Sequence, residues 1–261
     1  MGRHIRAVFL DIDGTLVHKG KLIDSAVVVV QQLKKKGFYV ALCTGRSRIH
    51  THQIQKQLGI HDAVYFNGGL AIKGSRIVRS SPLAPNVVDR IRNFSFEHEL
   101  PVILHSQNQA LVFDDFPKEY QDILVDYQFP ELHPVEERAW PETTTNVYQA
   151  NVFMKPTWDQ VTQNQFPECL LYRWDSTAVD LQKRGCDKSI GALAILREEG
   201  ISPSEALHIG DGGNDIGMFQ TMGMSVAMGN APEEVQHHAK MVTAPVDEDG
   251  VYHALKELEL L

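Results

Sequence analysis

The chain has little cysteine, no excess of positive charge and no long apolar run, and each shortage removes a class of protein. Its three cysteines, Cys43, Cys169 and Cys186, are odd in number and lack metal-ligand spacing. That excludes a disulfide scaffold and a zinc site and predicts reduced thiols in a cytoplasmic protein. Cys43 has no basic partner in the pattern around it, so it reads as an inert thiol. Lys and Arg number 25 against 33 Asp and Glu, and the net charge of −8 argues against a nucleic-acid surface. The run Lys34-Lys35-Lys36 suits the end of a helix. Met1 to Arg6 is basic, but the apolar run after it is too short for a leader peptide, and no window is long enough to span a membrane. Arg6 also stands where a myristoylation signal requires Ser or Thr. No internal repeat or low-complexity tract is present.

What remains is an ordinary composition, 43% hydrophobic and 22% charged over 261 residues, enough to bury a core in one large or two smaller domains. Ala7–Leu10 reads as a strand. Asp24 is placed to cap a helix with Ala26, Val27, Val30 and Leu33 on one face, ended by Gly37. A strand over 38–43, a helix from Ser47 to Leu58 ended by Gly59, and a strand over 63–66 follow. This alternation predicts an α/β fold, a doubly wound parallel sheet whose ligands bind at the carboxyl ends of the strands. The rhythm changes after a short hairpin over 72–77 and a linker over 80–85. Helices over 85–98, 117–127 and 156–166 alternate with strands on both sides of 106–109 and over 147–154, 170–174 and 178–182. A polar stretch with Pro130, Pro134 and Pro141 lies among them, and the whole reads as an inserted α+β module. From Asp187, a cap for a helix over 188–199, the first rhythm resumes with strands over 206–209 and 225–228 and helices over 213–221, 232–239 and from about 249. The predicted organisation is a discontinuous core, 1–81 and 182–261, interrupted by a cap, 82–181.

Chemistry concentrates where strands end. In Phe9-Leu10-Asp11-Ile12-Asp13-Gly14-Thr15-Leu16, Asp11 and Asp13 converge if the strand persists that far, since residues two apart share a face. Two such carboxylates call for a hard cation between them, and Mg²⁺ suits oxygen ligands beside a tight turn. An EF-hand loop is excluded by Thr15 and Leu16 at its fifth and sixth positions. Leu207-His208-Ile209-Gly210-Asp211-Gly212-Gly213-Asn214-Asp215 repeats the arrangement, with Asp211 and Asp215 offering further oxygens. It is not a dinucleotide fingerprint, because the last glycine of that pattern falls at Asp215. Lys188 supplies balancing charge, and Thr44 with Gly45 forms an anion-binding turn between strand and helix. A metal, a nucleophilic carboxylate and an anion cradle together suit phosphoryl transfer.

Asp11-Ile12-Asp13-Gly14-Thr15-Leu16, Thr44-Gly45-Arg46, Lys188 after Arg184-Gly185-Cys186-Asp187, and Gly210 to Asp215 resemble the four motifs of the haloacid dehalogenase superfamily. Their order and the insertion resemble its Cof-type phosphatases with a type IIB cap, as do Val226 to Ala231 and Asp249-Gly250-Val251. One departure is Asn67-Gly68-Gly69, where many relatives have Asn-Gly-Ala. The resemblance implies that Asp11 is the nucleophile and becomes an aspartyl phosphate, and that Asp13 is the acid and base. It implies that Mg²⁺ is held by Asp11, the Asp13 backbone carbonyl and Asp211, with Asp215 a ligand or its support. Thr44, Gly45 and Lys188 would bind phosphoryl oxygens, braced by Asn214. An acid at Asp13 disfavours carbon–halogen cleavage. The implied activity is hydrolysis of small phosphorylated metabolites, such as sugar phosphates or phosphorylated cofactors, by a monomer or weak homo-oligomer. A phosphomutase or phosphotransferase, or a phospho-metabolite sensor without turnover, are the competing readings. The cap would cover the site, with His105, Asn108, Gln149, Arg173, Trp174 and Asp175 as candidate substrate contacts. Trp140 and Trp158 read as packing residues, and the pairs His50/His52 and His237/His238 as surface.

Overall fold

The computed structural model describes residues 5–113, 116–136, 140 and 146–261. Residues 1–4 of the basic start and Pro141 of the proline-bearing stretch lie outside the described residues. The chain forms two compact units, Met1–Arg46 with Thr51–Ser80 and Asp187–Leu261, and Ser81–Cys186 with Ser47–His50.

The first unit opens with β1 (Ala7–Leu10), buried at every position as a strand covered on both faces must be. A small hairpin, β2 (Val17–His18) and β3 (Lys21–Leu22), follows. Two-residue strands carry no periodicity, so the sequence does not announce them. Helix α1 (Asp24–Lys35) buries Ala26, Val29, Val30 and Leu33. Its cap position is Ile23, so Asp24 is the first helical residue rather than the predicted cap, and its charge still faces the positive helix end. β4 (Tyr39–Cys43), α2 (Arg48–Leu58) and β5 (Ala63–Tyr65) continue the alternation, and β6 (Leu70–Lys73) with β7 (Arg76–Ser80) forms the predicted hairpin.

The second unit contains α3 (Pro85–Glu97), β8 (Val102–Ser106), β9 (Ala110–Val112), α4 (Gln121–Asp126), β10 (Leu132–Pro134), β11 (Val147–Phe153), α5 (Asp159–Gln165), β12 (Cys169–Asp175) and β13 (Ala178–Lys183). Its sheet runs β10-β9-β8-β11-β13-β12. Strand β10 was hidden by Pro134, which is tolerated because it is on an edge strand. One face packs Leu104, Val152 and Leu181 against Ile91 and Phe94 of α3, and Trp140 is buried there with its Nε1–H donating to Asp89 at 2.8 Å. Of the candidate contacts, Arg173 is paired with Asp159 and Asp175 accepts the Thr177 N–H at 2.8 Å.

The opposite face carries Ile103 and Phe153 and, beside them, a buried polar band in which His105 pairs with Asn151 and Asn151 donates to Asp180. Burial pushes the Asp180 carboxyl up to about 7 against the pull of amide hydrogen bonds, and lowers His105 to about 4. A raised folded-state value means that Asp180 holds its proton more tightly when folded. Its stabilising contribution is complete below the unfolded value near 3.9 and is lost as pH climbs towards about 7, up to about 4 kcal/mol in all. Asp180→Asn should therefore lose less melting temperature than the parent between about pH 4.5 and pH 7.5. Parallel curves for the two proteins would contradict this.

The chain then returns to the first unit with α6 (Lys188–Glu199), β14 (Ala206–Gly210), α7 (Ile216–Thr221), β15 (Met224–Ala227), α8 (Glu233–Gln236), β16 (Met241–Val242) and α9 (Gly250–Glu257). The large sheet runs β16-β15-β14-β1-β4-β5-β6-β7, parallel as far as β5 and antiparallel beyond it. Ala192, Ile195 and Leu196 of α6 pack onto Ala7, Phe9 and Ala41. Among the described residues no helix is long and apolar enough to cross a membrane.

Candidate active site

Register brings the ends of three strands level. Leu10 pairs with Ile209 of β14 on one side and Leu42 of β4 on the other, and the Asp11 N–H still donates to Ile209 O at 3.0 Å. Asp11, Asp211 and Thr44 therefore leave the sheet along one edge, at the carboxyl ends of the strands. Chain order also reverses there, with β4 to one side of β1 and β14 to the other, the position at which α/β sheets open a ligand crevice.

Lys188 arrives from α6. Asp187 caps this helix by accepting the Ser189 N–H at 2.7 Å. Gly191 lets it lie close to the sheet, because a Cβ there would stand 2.5 Å from Val64. The first turn of a helix is a poor place for a cation, and Lys188 is wholly buried. Two carboxylates hold it, with Nζ 2.6 Å from Asp11 Oδ1 and 2.7 Å from Asp215 Oδ1. Burial alone would lower its pKa, but Asp11 and Asp215 outweigh burial and keep it protonated.

Oxygens of Asp11, Asp211 and Asp215 lie within 4.8 Å of one another. Asp215 is fully engaged. Its Oδ1 faces Lys188 and, at 2.8 Å, His208 Nε2, while its Oδ2 accepts the N–H groups of Asp211 at 3.1 Å and Gly212 at 3.0 Å. Burial works against its charge, yet Lys188 and His208 prevail and hold its carboxyl well below the usual range. The other two acids behave oppositely. Burial raises Asp11 despite Lys188, and burial with the Asp215 charge pushes Asp211 up to about 7. Two crowded carboxyls whose ionisation is disfavoured without a cation fit a hard divalent ion.

Asp13 is placed differently from the expectation. β1 ends at Leu10 and the chain turns, with Leu16 N–H donating to Ile12 O at 2.9 Å and Gly14 at φ +72°. The rule that residues two apart share a face thus lapses before Asp13. Its carboxylate points outward, 57% exposed, and accepts both Nε (2.8 Å) and Nη2 (2.6 Å) of Arg46. It lies outside the acid cluster.

Thr44 is buried, and its Oγ1 accepts the Arg46 N–H at 3.1 Å, so the hydroxyl hydrogen can still be donated. Asn214 reaches this edge through Asn67, donating to its Oδ1 at 3.0 Å. Asn67 sits in the left-handed region at φ +49°, a conformation asparagine accepts readily. Gly45 adjoins the same side chain, with Asn67 Oδ1 3.1 Å from where its Cβ would be. Gly69 has an ordinary φ of −63°, which an alanine would adopt equally. Cys43 is buried with its thiol pushed up by burial, in keeping with an inert cysteine. His208 and Asn230 touch the site though no role was read for them in the sequence, and so do Arg46, quoted only within its motif, and Asn67, expected at a strand end. A histidine inside an apolar strand reads as core, and only the register places His208 under Asp215, with Nδ1 3.2 Å from Phe9 O.

A family model described as haloacid dehalogenase-like hydrolase matches residues 8–255. The chain is similar to YkrA of Bacillus subtilis, whose name proposes a phosphatase, at 29% identity over 259 residues and 98% of both proteins. It is also similar to the solved structure of a hypothetical protein from Geobacillus kaustophilus HTA426, with TM-score 0.90, 31% identity and coverage of 98% of this chain and 100% of that one. The HAD subclass IIB sugar phosphatase BT4131 superposes with TM-score 0.85 at 26% identity, covering 98% and 100% of the two chains. The match runs from the acid-tipped first strand to the last helix and includes the insertion, and the chain belongs to the haloacid dehalogenase-like hydrolases.

Proposed function

We propose that this site hydrolyses small phosphorylated metabolites with Mg²⁺ bound, through a phosphoryl group carried on Asp11. The observation that carries the reading is the wholly buried Lys188 bridging Asp11 and Asp215, with Asp211 in the same cluster of acids. The phosphatase names of YkrA and BT4131 support it. Mg²⁺ would be held by the carboxylates of Asp11 and Asp211 and the Asp13 carbonyl, while Asp215, both oxygens already occupied, braces Lys188 and the turn after β14. Bound there, Mg²⁺ supplies positive charge that neutralises the phosphoryl oxygens.

Lys188, the Thr44 hydroxyl and the Gly45 N–H bind the remaining phosphoryl oxygens, and Asn214 steadies that edge through Asn67. An Asp11 oxygen bonds to phosphorus as the bond to the leaving oxygen breaks, and Asp13 gives that oxygen its proton. Water then bonds to phosphorus as the Asp11 oxygen departs, and Asp13 takes the water's proton. The Asp13 carboxylate swings from Arg46 to do this, and its exposure leaves room to rotate. We assign recognition of the group beyond the phosphate to the inserted segment 82–181. The protein is read as a cytoplasmic monomer or weak homo-oligomer.

The test is phosphate release from p-nitrophenyl phosphate and a panel of phosphorylated sugars, nucleotides and cofactors. Turnover should vanish in EDTA and return with Mg²⁺, and added Mg²⁺ should raise the melting temperature more at about pH 8 than at about pH 5, where Asp211 is protonated. Equal turnover with and without chelator would overturn the reading.

A further inference from the structure

We propose that Asn230 is a positioning residue that fixes Asp211 and thereby sets the affinity of the acid cluster for a divalent cation, an inference that rests on the metal-dependent reading above. Asn230 follows β15, and its amide joins three separate loops. Its Nδ2 donates to Asp211 Oδ2 at 3.1 Å and to the Gly14 carbonyl at 3.0 Å, while its Oδ1 accepts the Val246 N–H at 2.8 Å.

Asp211 needs such a hold. One of its oxygens lies within 4.8 Å of oxygens of Asp215 and Asp11, and Lys188 Nζ hydrogen-bonds to Asp11 and Asp215, not to Asp211. Packing then limits where Asp211 Oδ2 can go. It lies 1.9 Å from where a Cβ on Gly14 would stand, so this carboxylate reaches Asn230 only because position 14 is glycine. The other end of the amide is equally determined. Gly229 lies against the 243–245 backbone so closely that a Cβ would come within 2.8 Å of Thr243 O and Pro245 N. That approach brings Asn230 to Val246. With Oδ2 taken by the amide, Oδ1 of Asp211 is left to face the cation. Partners that orient a metal-binding carboxylate in this way commonly change metal affinity ten- to hundredfold when removed.

The experiment titrates Mg²⁺ into metal-free parent, Asn230→Ala and Asn230→Ser by calorimetry, with melting temperatures in EDTA and turnover measured across Mg²⁺ concentrations. Asn230→Ala should bind Mg²⁺ about ten- to hundredfold more weakly, with Asn230→Ser between it and the parent. Saturating Mg²⁺ should restore kcat to within about threefold, with KM for the phosphorylated substrate unchanged. Asn230→Ser keeps a hydroxyl for one of the three partners and provides the measurement if the alanine variant does not fold. Unchanged Mg²⁺ affinity in a folded variant, or a loss of kcat that Mg²⁺ cannot restore, would overturn the proposal. A parent that binds no Mg²⁺ would overturn the metal-dependent reading itself.

Discussion

Asp11→Asn is expected to cut phosphate release at least about a hundredfold without lowering the melting temperature of the metal-free protein. An amide oxygen is a poor nucleophile towards phosphorus, so no phosphoryl group is captured at this position. The stability half of the result follows from the surroundings. Asp11 is buried, and the charges of Asp215, Asp211 and Asp13 add to the cost of ionising it, with Lys188 in partial compensation. Its raised folded-state pKa means that, without metal, its contribution to stability is lost as pH climbs above the unfolded value near 3.9. Asparagine removes that loss, and Lys188 keeps Asp215 as a partner. Steady-state phosphate release and thermal melts in EDTA separate the two effects. Unchanged turnover would remove Asp11 as nucleophile, and a melting temperature several degrees lower would make its role structural.

Lys188→Met is expected to fail in both respects, losing turnover and costing on the order of 3–5 kcal/mol of stability. Methionine keeps most of the volume and discards the charge, so the cavity contribution is small and the electrostatic one dominates. The ammonium is wholly buried and lies within 2.7 Å of both Asp11 and Asp215. Removing it leaves the buried Asp11 and Asp215 carboxyls without their shared cation. Urea denaturation measures the loss, and combining the variant with Asp11→Asn should recover part of it, since one of the stranded charges is then gone. A loss below about 1 kcal/mol would mean that the lysine does not hold the acids together.

Asp11 and Lys188 are both legible in the sequence. Strands such as Ala7–Leu10 and Ala206–Gly210 are short apolar runs ending on an acid, and in-register parallel pairing converts that pattern into convergence of Asp11 with Asp211. The cap Asp187 and the C-terminal Gly200, at φ +63°, delimit α6, so Lys188 was legible as its first residue. What stayed hidden depends on where the backbone leaves regular geometry. Asp13 lies beyond the end of β1, where period-two reasoning no longer applies, and its carboxylate is taken by Arg46. His208 and Asn230 act through hydrogen bonds that the packing of separate strands and loops sets, which no local pattern encodes. The short edges β10 and β16 are formed by pairing with a neighbour rather than by their own alternation.

Whether Asp11 and Asp211 share one divalent ion beside Lys188 is read most directly from crystals grown with Mn²⁺ in place of Mg²⁺ and an anomalous difference map at the manganese edge. A single strong peak bounded by the carboxylates of Asp11 and Asp211, with Asp215 still bonded to Lys188, is the predicted result. A map whose manganese lies elsewhere, with Asp11 and Asp211 bare, would contradict it.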